Sequence, residues 1–150
     1  MKHLLPLAIA GLLAAVPGVS RAQAAKTFKA RLAPVPIDVA MQATVAGSGS
    51  VTAVLNGTRL TVDGTFDGLK SPATVARLHI GQRGVRGPAL FDLKVSGAAP
   101  ATRGTISGVV QLAPLQIDAL EKGSLYLQLH SERAPDGNLW GWFFAAEARR

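Results

Sequence analysis

Few side chains in this sequence could do chemistry, and two histidines lead the list. His79 ends the segment Arg77-Leu78-His79, and His130 ends Tyr126-Leu127-Gln128-Leu129-His130. A catalytic metal site takes three protein ligands of the His, Asp, Glu or Cys type. His79 and His130 would therefore need a carboxylate such as Asp92 beside them. No local ligand spacing draws these three together, so His79 and His130 are weak metal candidates and no cofactor is assigned. The bland alternative is that each imidazole hydrogen-bonds to backbone or to a neighbouring strand. The chain has no cysteine, which excludes disulfides, thiol nucleophiles and Cys-ligated metal. Ser107 in Thr105-Ile106-Ser107-Gly108 and Ser131 beside His130 lack a nucleophile elbow or a positioned acid. Asp63 and Asp67 flank a turn and Asp136 sits in one, which leaves no paired carboxylates. The expectation is a protein without catalytic activity.

The elements that carry these residues read as strands. Ser124 to Phe144 alternates strictly, with Leu125, Leu127 and Leu129 on one face and Tyr126, Gln128 and His130 on the other. After a turn expected at Pro135, Asp136 and Gly137, Leu139, Gly141 and Phe143 continue the apolar face. Asn138, Trp140, Trp142 and Phe144 share the opposite face. Tyr126, Trp140 and Trp142, with Arg77, His79 and His130, form the candidate binding set, because contiguous aromatic side chains on an exposed strand face mark contact surfaces. If instead the opposite sheet or the C-terminal tail covers that face, both Trp are core.

Further along the chain β patterns predominate. Lys26 to Leu32 alternates and meets Ala33-Pro34-Val35-Pro36, which bars a helix and suggests an edge or crossover. Ser50 to Phe66 reads as a hairpin about Asn56-Gly57, with a type I′ turn expected. Val39 to Val45 is open. Thr74 to Ile80 and Ala89 to Val95 flank a glycine loop running from Gly81 to Pro88. Arg103 to Leu112 is a further strand, expected to bend at Gly108. Pro114 to Lys122 is the one helix, with Pro at its first turn, Gly123 as its stop, and Leu115, Ile117 and Leu120 as apolar positions. Short strands punctuated by Gly and Pro, with one small helix, predict an all-β fold: an immunoglobulin-like or superoxide-dismutase-like Greek-key β-sandwich or barrel.

Residues 1–22 have the form of an export signal, with a basic start at Lys2, an apolar run to Val19 and small residues before Gln23. The run is interrupted by Pro6, Gly11 and Pro17 and is too short for a membrane span. One domain, 26–146, follows, large enough to bury its own core. Loss of Lys2 and Arg21 lowers the net charge from +7 to +5. No run of like charges marks a nucleic-acid arm. The expected setting is exported, periplasmic or secreted, with an envelope or extracellular protein or a glycan as partner and no nucleic acid. Oligomeric state is open.

The segments Arg77-Leu78-His79, Gly87-Pro88, Phe91-Asp92-Leu93, Ala119-Leu120, Tyr126 to His130 and Gly137-Asn138-Leu139-Trp140-Gly141 together resemble the CHRD domain, first described in chordin and widespread in exported bacterial proteins. The resemblance covers about residues 26 to 144. It implies an immunoglobulin-like β-barrel with remote likeness to copper/zinc superoxide dismutase, and it brings no general activity. A superoxide-dismutase-like copper or zinc domain is the alternative reading, and an envelope protein without ligand a second. The chain departs from the family where His-Ile-His becomes Arg77-Leu78-His79. It departs again where Gly-Glu-Ile-Arg-Gly-Gln becomes Gly137-Asn138-Leu139-Trp140-Gly141-Trp142, so that polar groups give way to Trp140 and Trp142.

Overall fold

A computed structural model describes residues 23–147. The export signal expected over residues 1–22 lies outside the described residues. The chain forms β1 (Lys26–Pro34), a 3-10 turn (Met41–Ala43), β2 (Ser48–Asn56), β3 (Arg59–Asp67), β4 (Ala73–Ile80), β5 (Ala89–Ser96), β6 (Gly104–Gln111), α1 (Pro114–Glu121), β7 (Leu125–Ser131), β8 (Ala134–Trp142) and β9 (Phe144–Ala145).

The strands follow one another around a closed antiparallel barrel in the order β1-β2-β3-β6-β5-β4-β7-β8, returning to β1. β1 makes the closure by serving two neighbours. Its residues Lys26 to Leu32 pair with β2, Ala33 and Pro34 pair with β8, and β9 adds to the same strand at Phe28 and Lys29. Closure leaves no long unpaired edge. The expected interruption at Ala33-Pro34 is thus a change of partner within one strand. Pro34 has no N–H to donate to the ladder, and it is the last residue of β1.

The barrel is filled by the apolar parity of strands β1 to β8, as period-two alternation requires. Leu125, Leu127 and Leu129 of β7 meet Phe28 and Leu32 of β1, Leu60 and Val62 of β3, Leu78 of β4, Ile106 of β6, and Leu139 and Phe143 in one buried cluster. Each such side chain contributes roughly 1.5–3 kcal/mol on leaving water. A smaller cluster of Val35, Val45 and Ala134 closes one side, with Met41 and Trp140 packed on it.

Several local expectations change. In the β2–β3 hairpin Asn56 pairs with Arg59, so Gly57 and Thr58 are the central turn residues. Only Gly57 has positive φ, at +62°, which is the sign pattern of a type II′ turn instead of type I′. β6 keeps its register with β3 through Gly108 without a shift, and Gly108 leaves the space that the Leu93 side chain needs. Pro114 opens α1 as expected, but Leu115 is 80% exposed and the helix buries only Ala119 and Leu120. The β7–β8 hairpin turns at Glu132 and Arg133, because Ser131 pairs with Ala134. Pro135, Asp136 and Gly137 lie inside β8, where the register shifts between the pairs Leu129–Leu139 and Ser131–Ala134. These residues form a bulge, and that bulge shapes the candidate site.

Candidate functional site

All six candidate side chains come from one sheet face on the outside of the barrel. Register places His79 of β4 opposite Tyr126 of β7, and Tyr126 opposite Trp142 of β8. The next rung is Arg77, Gln128 and Trp140, and His130 lies beyond it on β7. Every residue of β7 is buried, although alternate positions point away from the barrel core. What covers them is local chain: the 81–88 loop from one side and the β8 bulge from the other.

The loop is held by its backbone. Gly87 N donates to Tyr126 Oη (2.9 Å), His79 Nδ1 lies 2.9 Å from Gly87 O, and Trp142 Nε1 donates to Gly81 O (2.9 Å). Gly87 allows this approach, since a Cβ there would fall 1.8 Å from Ile80 O. The bulge turns two carbonyls onto the same face. His130 Nδ1 lies 2.8 Å from Pro135 O, and Gln128 Nε2 donates to Asp136 O (2.7 Å). Arg86 Nη1 also donates to Asp136 O (2.6 Å), tying loop to bulge. Asn138, fully buried at the end of the bulge, is satisfied on both ends: Nδ2 donates to Ser131 Oγ (2.9 Å) and Oδ1 accepts from Ala46 N (3.2 Å).

Between these covers the rings form a stack. His79 lies 4.9 Å from Tyr126 with planes 19° apart, and Tyr126 lies 4.6 Å from Trp142 with planes 27° apart. Trp140 meets Trp142 edge-on, at 4.7 Å and 68°. His79 and His130 approach to 6.4 Å between ring centres, so the fold brings the two histidines together. Burial pushes the His130 imidazole below its ordinary value, as do the charges of Arg77, His79 and Arg86, while its bond to Pro135 O works in the opposite direction.

Asp92 does not join the histidines. It pairs with Arg77 (Nε to Oδ1, 2.8 Å) because β4 and β5 place the two opposite each other. Among the described residues no cluster of three or more His, Cys, Asp or Glu side chains could hold a metal ion. The three-ligand set His79, His130 and Asp92 is therefore not assembled. Nor does the aromatic face lie open as a whole: Tyr126 is fully buried, Trp142 is 7% exposed, and only Trp140 is half-buried. The open neighbour is Phe144, 47% exposed, with the Arg83 guanidinium 5.6 Å above its ring. Lys29, Arg31, Arg83, Trp142 and Phe144 line a concavity of about 750 Å³ beside the sealed loop. Sequence reasoning gives no site role to Gln128 or to the carbonyls of Pro135 and Asp136. Only the close glycine spacing of the 81–88 loop carried a signal for the cover.

Among the described residues no helix is long and apolar enough to cross a membrane. No curated protein and no solved structure gives a significant match. The family model for the CHRD domain matches residues 28–142, a span that holds the whole stack, both histidines, the loop and the bulge, and on that match the chain belongs to the CHRD domain family.

Proposed function

We propose that this chain is an exported, non-catalytic CHRD interaction module that holds an acidic glycan on the face beside the sealed loop. The observation that carries the proposal is the pairing of Arg83 with exposed Phe144 at the mouth of a concavity also lined by Lys29 and Arg31. None of the ion pairs among the described residues uses Lys29, Arg31 or Arg83. Three cations around one exposed ring suit a ligand that offers negative charge and an apolar ring face. Tyr126 and Trp142 then act as the rigid floor under the loop that presents Arg83. Export and an envelope or extracellular setting come from the leader-like residues 1–22 and belong to the proposal.

Binding of polygalacturonate, with neutral dextran as control, tests it. Arg83→Glu and Phe144→Ala should each weaken retention of the acidic polymer by at least about ten-fold while leaving the melting transition in place, and added salt should have the same effect. Retention that is unchanged in both variants, or equal for dextran, overturns the reading. Binding confined to an acidic protein would assign the same face to a different partner class and would also end the glycan assignment.

A further inference from the structure

The sealed face leaves one nitrogen of each histidine unused. A carbonyl oxygen only accepts, so the contacts of His79 Nδ1 with Gly87 O (2.9 Å) and of His130 Nδ1 with Pro135 O (2.8 Å) place the hydrogen on Nδ1 in both rings. The neutral ring then keeps its lone pair on Nε2. Both Nε2 atoms are buried, and neither has a hydrogen-bond partner. They are the two buried side-chain polar atoms without one among the described residues. Buried polar groups are rarely left unpaired, and two such acceptors on neighbouring rings are placed to share one donor or Lewis acid.

The chemistry of the donor set narrows what that acid is. A backbone carbonyl on the far nitrogen is the usual way of orienting a metal-binding imidazole. Metal–imidazole bonds run about 2 Å, so two imidazoles in line on one ion stand on the order of 6 Å apart between ring centres, and His79 and His130 stand 6.4 Å apart. Zinc and oxidised copper call for further ligands. Asp92, the carboxylate that a three-ligand site would need, is engaged by Arg77. Arg77 and Arg86 also place positive charge near His130, which opposes a divalent ion more than a monovalent one. A closed-shell monovalent ion accepts two nitrogens in line and needs no more.

We propose that His79 Nε2 and His130 Nε2 together bind one monovalent d10 cation of the Cu(I) or Ag(I) type beneath the 81–88 loop. The site is separate from the glycan face and does not depend on it.

The test adds Ag(I), and Cu(I) under reductant, to the metal-free full chain against a competing chromophoric chelator. His3, Met1 and Met41 also offer donors to these ions, so stoichiometry alone does not decide. The deciding readout is the ¹⁵N shift of the two imidazoles. One equivalent should move both Nε2 resonances together and change the emission of Trp142, which stacks on His79 through Tyr126. His79→Gln and His130→Gln should each lower the affinity at least about ten-fold. The proposal is overturned if saturating ion leaves both Nε2 shifts at their metal-free values, as a bridging water would, or if both variants bind like the parent. Tighter binding of Zn(II) than of Cu(I) overturns the monovalent assignment. Should a variant fail to fold, the parent's imidazole shifts decide by themselves.

Discussion

The side-chain amide of Gln128 occupies the space that a side chain on Gly137 would need: a Cβ there would fall 2.1 Å from Gln128 Nε2. The same amide donates to Asp136 O. The bulge in β8 and the buried face of β7 are therefore fitted to each other, and the fit fixes the Pro135 carbonyl against His130.

Gly137→Ala should destabilise the fold by about 3 kcal/mol. Gly137 has φ of +130°, where an L side chain is strained by about 1–3 kcal/mol, and displacing Gln128 would cost one more buried hydrogen bond, about 1–3 kcal/mol. Gly57→Ala is the comparison. Gly57 has φ of +62° but nothing within 4 Å of its missing Cβ, so backbone strain alone should apply, at about 1 kcal/mol. Urea midpoints at constant slope measure both, and equal losses would contradict the role assigned to Gln128.

Tyr126→Phe should loosen the 81–88 loop without opening the barrel. The phenol oxygen accepts the Gly87 amide at 2.9 Å, while the ring remains stacked between His79 and Trp142. Loss of one partner of a part-buried bond costs about 1–3 kcal/mol. Hydrogen exchange at Gly87 N should rise sharply, with the amides of β7 keeping their protection. Parallel loss of protection along β7 would mean that the tyrosine supports the barrel itself.

Much of this architecture is legible in the chain, and the reasons for the remainder are physical. Leu125, Leu127 and Leu129 announce a core face by alternation alone, and the Lys26 to Leu32 segment does the same for β1. Alternation separates Tyr126, Gln128 and His130 from that core, but it cannot say what lies over them. Their cover depends on how closely Gly87 approaches Ile80 O and on a register shift within β8, both settled by closure of the barrel. Pro135, Asp136 and Gly137 have turn composition, whereas the hairpin reverses at Glu132 and Arg133, which have none. A metal site would need a carboxylate such as Asp92 to converge on the histidines, and no local spacing draws it there. The β4–β5 register gives it to Arg77. Leu115 looks like a core position of α1 and lies in solvent, because so short a helix presents one narrow buried stripe.

The two tryptophans should report separately. Trp142 is buried and donates Nε1 to Gly81 O, while Trp140 is half-buried. Emission from the native protein should therefore contain a blue-shifted, acrylamide-resistant part that Trp142→Phe removes and Trp140→Phe retains. Trp142→Phe also leaves Gly81 O without its donor, and stability should fall by about 1–3 kcal/mol. Full quencher access in the parent would contradict the sealed face.

Acid should weaken the metal-free fold through His130. Its imidazole titrates below the ordinary 6.5 in the folded chain, chiefly because it is buried and then because Arg77, His79 and Arg86 oppose a further positive charge. The unfolded chain takes up the proton as pH falls through 6.5, whereas the folded chain resists until its own lower value is reached. Between those two points the unfolded state binds more protons, so unfolding free energy rises with pH. The contribution of neutral His130 is complete above pH 6.5 and is lost progressively as pH falls from there toward the folded value; below that value it adds no further slope. His130→Gln removes the titrating group while keeping a side chain able to donate to Pro135 O. Unfolding free energies of parent and variant across this window should converge on acidification, with the parent carrying the steeper slope. Parallel curves for the two proteins would show that the buried imidazole does not govern the acid sensitivity.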